Sequence, residues 1–299
     1  MLAVVLTCFA AGLAARRLLP RSRVLVPLLD HAVLSVTVPA LILAKLPDLA
    51  VGADLAVPVA AAWGCTALGA ATVLVGAARY GWDRRTTGAL LLVTPLGNTT
   101  FLGLAMVGSL LGDAELTRAL AFDQLGTFLG LATYGSVIAA HWGRGDAGIG
   151  PVVARLVRFP PFLAVVASFP LRSVAVPDGV DDGLGALGAL VAPLAMLALG
   201  LRFRVVATGA ARQAAIWCLG TKMVLLPAAV MGVAAVAGGW EDPAWRASIL
   251  EAGMPPMVTA GVVAAGAGLD EELATTVVGV GLLVGLASIP LLALVLAAS

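Results

Sequence analysis

The stretch Leu250-Glu251-Ala252-Gly253-Met254-Pro255-Pro256-Met257-Val258-Thr259-Ala260-Gly261 lies inside an apolar run, residues 246–267, and places two successive prolines near its centre. A run of about 20 apolar residues is the length that crosses ~30 Å of hydrocarbon as a helix. Each proline removes a backbone donor and clashes with the preceding turn. At membrane depth such a break is tolerated only when it is buried in protein or lines a polar cavity. A second stretch repeats the pattern. In Leu92-Val93-Thr94-Pro95-Leu96-Gly97-Asn98-Thr99-Thr100-Phe101-Leu102-Gly103 a proline, two glycines, an amide and three hydroxyls interrupt the run 87–111. Freed helix N-termini at such breaks suit a carboxylate, and freed carbonyls and hydroxyls suit a small cation.

Composition agrees with a membrane setting. Of 299 residues 61% are hydrophobic and 12% charged, with a mean hydropathy of +1.03, whereas a soluble domain carries about 25% charged residues. The runs are rich in Ala, Leu and Val without sustained alternation, which argues for helices over barrel strands. Ten spans are expected, at 1–19, 24–45, 54–79, 87–111, 116–141, 152–171, 181–201, 210–238, 246–267 and 272–297. The first run is read as a retained span, not a signal peptide, because Arg16, Arg17, Arg21 and Arg23 follow its apolar part instead of preceding it.

Lys and Arg in the loops set the expected orientation. Thirteen lie after spans 1, 3, 5 and 7: Arg16, Arg17, Arg21, Arg23, Arg79, Arg84, Arg85, Arg144, Arg155, Arg158, Arg202, Arg204 and Arg212. Four lie after spans 2, 4, 6 and 8: Lys45, Arg118, Arg172 and Arg246. The first set is expected in the cytoplasm and both termini outside, in a multi-pass protein of the cell membrane.

The halves resemble each other. Val38-Pro39-Ala40-Leu41 in span 2 matches Ala192-Pro193-Leu194-Ala195 in span 7, and Leu111-Gly112-Asp113-Ala114-Glu115-Leu116 matches Gly268-Leu269-Asp270-Glu271-Glu272-Leu273. Gly126 and Gly130 in span 5 match Gly281 and Gly285 in span 10, both small-xxx-small pairs that permit close helix approach. All offsets fall within 154–157 residues, and by them Asn98-Thr99 corresponds to Pro255-Pro256. Five spans per half is an odd number, so residues 1–142 and 151–299 are expected to be inverted-topology repeats, a transporter architecture with its substrate at the midplane.

Few ionisable residues fall inside spans, where each costs at least ~2.5–3.5 kcal/mol unless paired, hydrated or functional. Lys222 is either an anion anchor, a surrogate for a coupling cation, or a structural partner of Asp123 or Glu251. Asp123, beside Gln124, is a coupling-ion or proton site on the alternative reading. Glu251 is either a member of this charge set or hydrated at the interface. Asp30 and His31 suit interfacial or packing roles, and Lys45 suits snorkelling.

Other classes find little support. The net charge of +1 and the absence of basic runs give no argument for nucleic acid. Cys8, Cys65 and Cys218 sit in three separate runs with no metal spacing and read as packing residues. Gly143-Arg144-Gly145-Asp146 spells the GxGD of intramembrane aspartyl proteases, yet it lies in a loop without a second aspartate motif in a neighbouring span. No enzyme and no cofactor is expected.

Four motifs in order, Gly97-Asn98-Thr99-Thr100-Phe101-Leu102-Gly103-Leu104, Phe122-Asp123-Gln124-Leu125-Gly126, Ala192-Pro193-Leu194-Ala195-Met196-Leu197-Ala198-Leu199-Gly200 and Glu251-Ala252-Gly253-Met254-Pro255-Pro256, resemble the auxin efflux carrier family along essentially the whole chain. Similar bacterial members are permeases of malate, malonate and related anions. The resemblance implies an all-α polytopic fold like sodium/proton antiporters and bile-acid symporters. Spans 1, 2, 6 and 7 would form a scaffold suited to a homodimer. Spans 3–5 and 8–10 would form a mobile transport domain in which broken spans 4 and 9 cross. The chain departs from the family at Ala105, where many members have proline, and it lacks the long cytoplasmic loop of the plant carriers. The expected function is secondary active transport of small organic anions by elevator-type alternating access, with Na⁺ or H⁺ as coupling ion; the alternative is a cation/proton antiporter on the same fold. Expected substrate-binding residues are Gly97, Asn98, Thr99, Thr100, Pro255, Pro256, Thr259 and Lys222, with Asp123, Gln124 and Glu251 for ion coupling or charge pairing.

Overall fold

The computed structural model describes residues 2–18, 24–45, 47, 53–143, 158, 160–171, 173, 177–202 and 212–298. Six of the loop arginines (Arg21, Arg23, Arg144, Arg155, Arg172, Arg204), most of the GxGD sequence, the first part of expected span 6 and the side chains of Asp30 and Lys45 lie outside the described residues.

Among the described residues the chain is helical, with no strand beyond one isolated bridge. The helices are α1 (Leu2–Leu18), α2 (25–45), α3 (Ala53–Tyr80), α4 in two halves (Arg84–Val93 and Thr99–Leu110), α5 (116–142), α6 (Pro160–Leu171), α7 in two halves (Asp178–Gly188 and Val191–Arg202), α8 (Arg212–Val236), α9 in two halves (Pro243–Ala252 and Val258–Gly266) and α10 (Glu271–Ala298). Those within Leu55–Tyr80, Arg212–Val236 and Glu271–Ala297 are individually long and apolar enough to cross a membrane. Large apolar side chains such as Val75, Val236 and Leu294 stand exposed on them, the outward face that suits lipid.

Local chemistry sets the helix ends. Asp83 caps α4 by accepting from the Thr86 amide at 2.7 Å. Asp242 caps α9, with Pro243 at the first position, where its missing donor costs nothing. Gly112 and Gly268, at φ +101° and +71°, make the turns that end the second halves of α4 and α9; these are the two glycine-acid segments that correspond between the halves. Pro193 falls in the first turn of the second half of α7, after an interruption at Ala189 and Leu190.

Hydrophobic periodicity does not disclose one class of feature. Wide π turns occupy Val33–Thr37, Thr99–Gly103, Ala121–Phe128, Leu131–Gly135 and Thr221–Leu225. A π turn inserts one residue and swings the following face, often at functional sites. Asp123 and Lys222 each stand on one.

Packing divides the helices into two sets. The second half of α7 runs along α1 and the first part of α2, while α6 and the first half of α7 pack on the rest of α2. In the other set α3 packs on α5 and the first half of α9, α8 on that same half, and the second half of α9 on α10 and the first half of α4. The sets meet chiefly where α7 and α1 contact the second half of α4. In the first set, a Cβ on Gly12 would lie 2.9 Å from the Gly200 Cα, so α1 and α7 touch backbone to backbone. In the second, Gly281 and Gly285 make room for Pro256 and Pro255, and Gly126 for Ala62.

Candidate functional site

The breaks of α4 and α9 meet. Gly97 and Pro256 form an antiparallel bridge. The Asn98 amide donates to the Pro255 carbonyl at 2.7 Å, and the Met257 amide donates to the Leu96 carbonyl at 2.9 Å. Pro95 and the Pro255-Pro256 pair stop the helices, and the amide and carbonyl groups released at one break are satisfied by the other. The break in α4 therefore occupies residues 94–98. Ala105, where the family often has proline, is a buried residue of regular helix beyond it.

Two buried charges flank the crossing. Asp123 is 0% exposed. Its carboxylate accepts from the Thr99 hydroxyl at 2.5 Å, from the Thr100 hydroxyl at 2.8 and 2.9 Å, and from the Gln124 amide at 2.6 Å. Thr99 and Thr100 open the second half of α4, so the carboxylate lies at the positive end of that helix. Lys222 is 1% exposed. Its ammonium donates to the Ala252 carbonyl at 2.9 Å, which puts a cation on the negative end of the first half of α9. It also lies against Gly97, where a Cβ would come within 3.0 Å of Nζ. Lys222 thus touches both breaks.

Glu251 differs from the reading as an interfacial, hydrated group. It sits in the last turn of the first half of α9 with 0% exposure, and neither carboxylate oxygen has a hydrogen-bond partner. It fits there because Gly103 has no Cβ, which would come within 2.7 Å of Oε1. The side-chain oxygens of Asn98 and Gln124 are also buried without a partner. Among the described residues neither Asp123 nor Glu251 forms an ion pair with Lys222; the pair considered from sequence is replaced by separate ties to a helix N-terminus and a helix C-terminus.

The structure thus joins Thr99, Thr100, Asp123 and Gln124 in one hydrogen-bonded group and brings Gly97, Asn98, Pro255, Pro256 and Lys222 together at the bridge. Thr259 lies half-buried in the first turn of the second half of α9, whose N-terminus no side chain caps. His31 is exposed and shares a 3.2 Å hydrogen bond with Ser35. Sequence reasoning missed the Ala252 carbonyl as the acceptor for Lys222. Gly253 was its available signal, since glycine marks where a helix releases its last carbonyls.

A chain of apolar helices with two of them broken and crossed around buried charges is built as a membrane-embedded, multi-pass transporter. Comparison with known proteins agrees. A family model described as membrane transport protein matches residues 1–147 and 149–293. A transporter of Methanothermobacter thermautotrophicus, itself uncharacterized, is 28% identical over 274 residues, covering 90% of this chain and 88% of the relative. A second uncharacterized transporter, from Methanocaldococcus jannaschii, is 29% identical over 143 residues, 46% of this chain and 45% of the relative. The chain belongs to the membrane transport protein family, the auxin efflux carrier group that its motifs resemble, and is a transporter, not an enzyme.

Proposed function

We propose that the chain is a secondary active transporter of small organic anions, mono- or dicarboxylates such as malate or malonate, working by elevator-type alternating access. The crossing carries this reading. The uncapped N-terminus of the second half of α9 begins two residues beyond Pro256, and Pro256 is bridged to the Gly97 against which Lys222 lies. On this reading the backbone N–H groups and positive dipole of that end, together with the Lys222 ammonium, would hold a carboxylate. Gly97, Asn98, Thr99, Thr100, Pro255, Pro256, Thr259 and Lys222 are the proposed substrate site.

The packing of the two sets supports an elevator. The set containing both broken helices would move as the transport domain, and α1, α2, α6 and α7 would stay as a scaffold and carry a homodimer contact. Ten crossings in two inverted five-helix repeats, with both termini outside the cell membrane, is the topology we propose; the matched breaks and the paired glycine turns at Gly112 and Gly268 support it.

The unpartnered oxygens favour a second component. The unpartnered atoms of Asn98, Gln124 and Glu251 are acceptor oxygens, and these with Asp123 suit Na⁺ or a proton. On the main reading they hold the coupling ion; on the alternative, cation/proton antiport is the whole activity. Uptake into proteoliposomes with a panel of mono- and dicarboxylates, with and without Na⁺ and pH gradients, separates the two. Saturable, gradient-driven carboxylate uptake is expected. Cation-dependent proton flux without movement of any carboxylate would replace the main reading with the antiporter.

A further inference from the structure

A groove of about 930 Å³ runs between α3 and α8. Both walls belong to helices long and apolar enough to cross a membrane. Val75, Ile216 and Leu225 line it and are exposed, so at membrane depth the groove opens toward lipid. Its ends differ. One end holds Tyr80, Arg212 and Gln213, and the other runs past Gly220 to Thr221 and Leu68. The distance along α3 from Tyr80 to Leu68 is about 18 Å at 1.5 Å per residue, slightly more than half of a ~30 Å hydrocarbon core.

The polar end carries the mark of a headgroup level. Tyr80, Trp82 and Trp217 form an aromatic cluster with ring centroids 5.5–6.2 Å apart. The Trp217 indole donates to the Thr72 carbonyl at 3.1 Å, and the Arg79 guanidinium lies 5.5 Å from the Tyr80 ring centre. Such amphipathic rings concentrate where hydrocarbon meets headgroups. Arg212 is exposed there, and the groove lining includes no acidic residue.

We propose that this groove binds one anionic phospholipid of the surrounding bilayer, with its phosphate on Arg212 at the Tyr80 end and an acyl chain lying along Val75 and Ile216 toward Gly220. A planar guanidinium pairs with a phosphate through two parallel hydrogen bonds, and the apolar floor accepts the chain. The deep end adjoins Lys222, which follows Thr221, so the bound chain lies beside the helix turn that carries the buried ammonium.

The test is retention of lipid by the purified protein. Protein in mild detergent is mixed with equal phosphatidylglycerol and phosphatidylcholine, repurified, and its bound lipid counted by mass spectrometry, with a thermal melt to verify folding. Wild type should retain phosphatidylglycerol in preference to phosphatidylcholine. Arg212→Gln should lower that retention roughly ten- to a hundredfold, the loss of a charge-assisted hydrogen bond. Gly220→Leu should abolish it by filling the deep end; a Cβ there meets no protein atom within 4 Å, and the thermal melt checks the fold. Gly232→Leu, on the same helix, equally open and outside the groove, should bind as wild type. Retention unchanged in Arg212→Gln and Gly220→Leu, or equal retention of both lipids, overturns the proposal. So does a two-chain particle without lipid that Gly220→Leu dissociates, which assigns the groove to a second copy.

Discussion

Asn98 has its backbone committed and its side chain uncommitted: the amide N–H ties the two breaks together, and the side-chain oxygen is buried without a partner. Asn98→Ala therefore removes the proposed cargo contact without orphaning a neighbour's bond. Uptake should fall to background while the melting curve changes by no more than about 0.5–1 kcal/mol equivalent; wild-type uptake at normal expression would take Asn98 out of the site. Lys222 and Asp123 are predicted to act independently. Lys222→Ala strips the Ala252 carbonyl of its donor, and Asp123→Ala strips Thr99, Thr100 and Gln124 of their acceptor, each costing about 1–3 kcal/mol. Because no ion pair joins them, adding Asp123→Ala should not restore the stability lost in Lys222→Ala. Recovery of stability in the double variant would instead reveal a charge pair. The prolines, glycines and hydroxyls of this region were legible in sequence because they break helices by their own chemistry. The partner of Lys222 was not, since a main-chain carbonyl carries no letter, and Glu251 stayed open between charge set and interface because depth within a helix does not reveal how neighbours cover it.

At the scale of elements, the crossing and the contact of the two helix sets make opposite demands. The halves of α4 and α9 are tied by main-chain bonds and pack with α3, α5, α8 and α10, whereas α4 meets α7 across the seam between the sets. A disulfide engineered between α4 and α9 should leave transport intact, and one between α4 and α7 should block it until reduced. Equal inhibition by both would remove the elevator. Helix extents were readable from apolar run length: α3 occupies Ala53–Tyr80 where 54–79 was expected, and α5 occupies 116–142 where 116–141 was expected. The π turns were not, because one inserted residue is lost in a sequence so uniformly apolar that a helix has no polar stripe to reveal a shift of face.

For the whole molecule, the excess of arginine on alternate loops predicts that those loops face the cytoplasm. Single cysteines placed near Asp113 or Glu241 should be labelled by an impermeant reagent in intact cells, and ones near Arg84 or Arg202 should not; the reverse pattern would invert the topology. Two of the ends are visibly laced. At one, Arg85 donates to the Gly268 and Leu269 carbonyls and Thr86 to Asp270; at the other, Arg246 donates to the Leu296 carbonyl. Class and family could be read from composition and four motifs. The grouping of helices could not be read from residue types alone, since a lipid-facing leucine and a core leucine are the same letter, and it entered the sequence reading only through family resemblance.

The Gly97–Pro256 bridge has a consequence for how such a protein diversifies. Its two hydrogen bonds run between peptide groups, so the frame of the crossing does not depend on which side chains surround it. If the proposed site is right, residues such as Thr259 or Asn98 are exchangeable fittings on a fixed mount. Lineages that keep the breakers and glycines can drift at the fittings and acquire new cargo without first rebuilding the fold. Selection experiments on altered carboxylates should accordingly recover changes at the fittings and leave Gly97, Pro255 and Pro256 untouched.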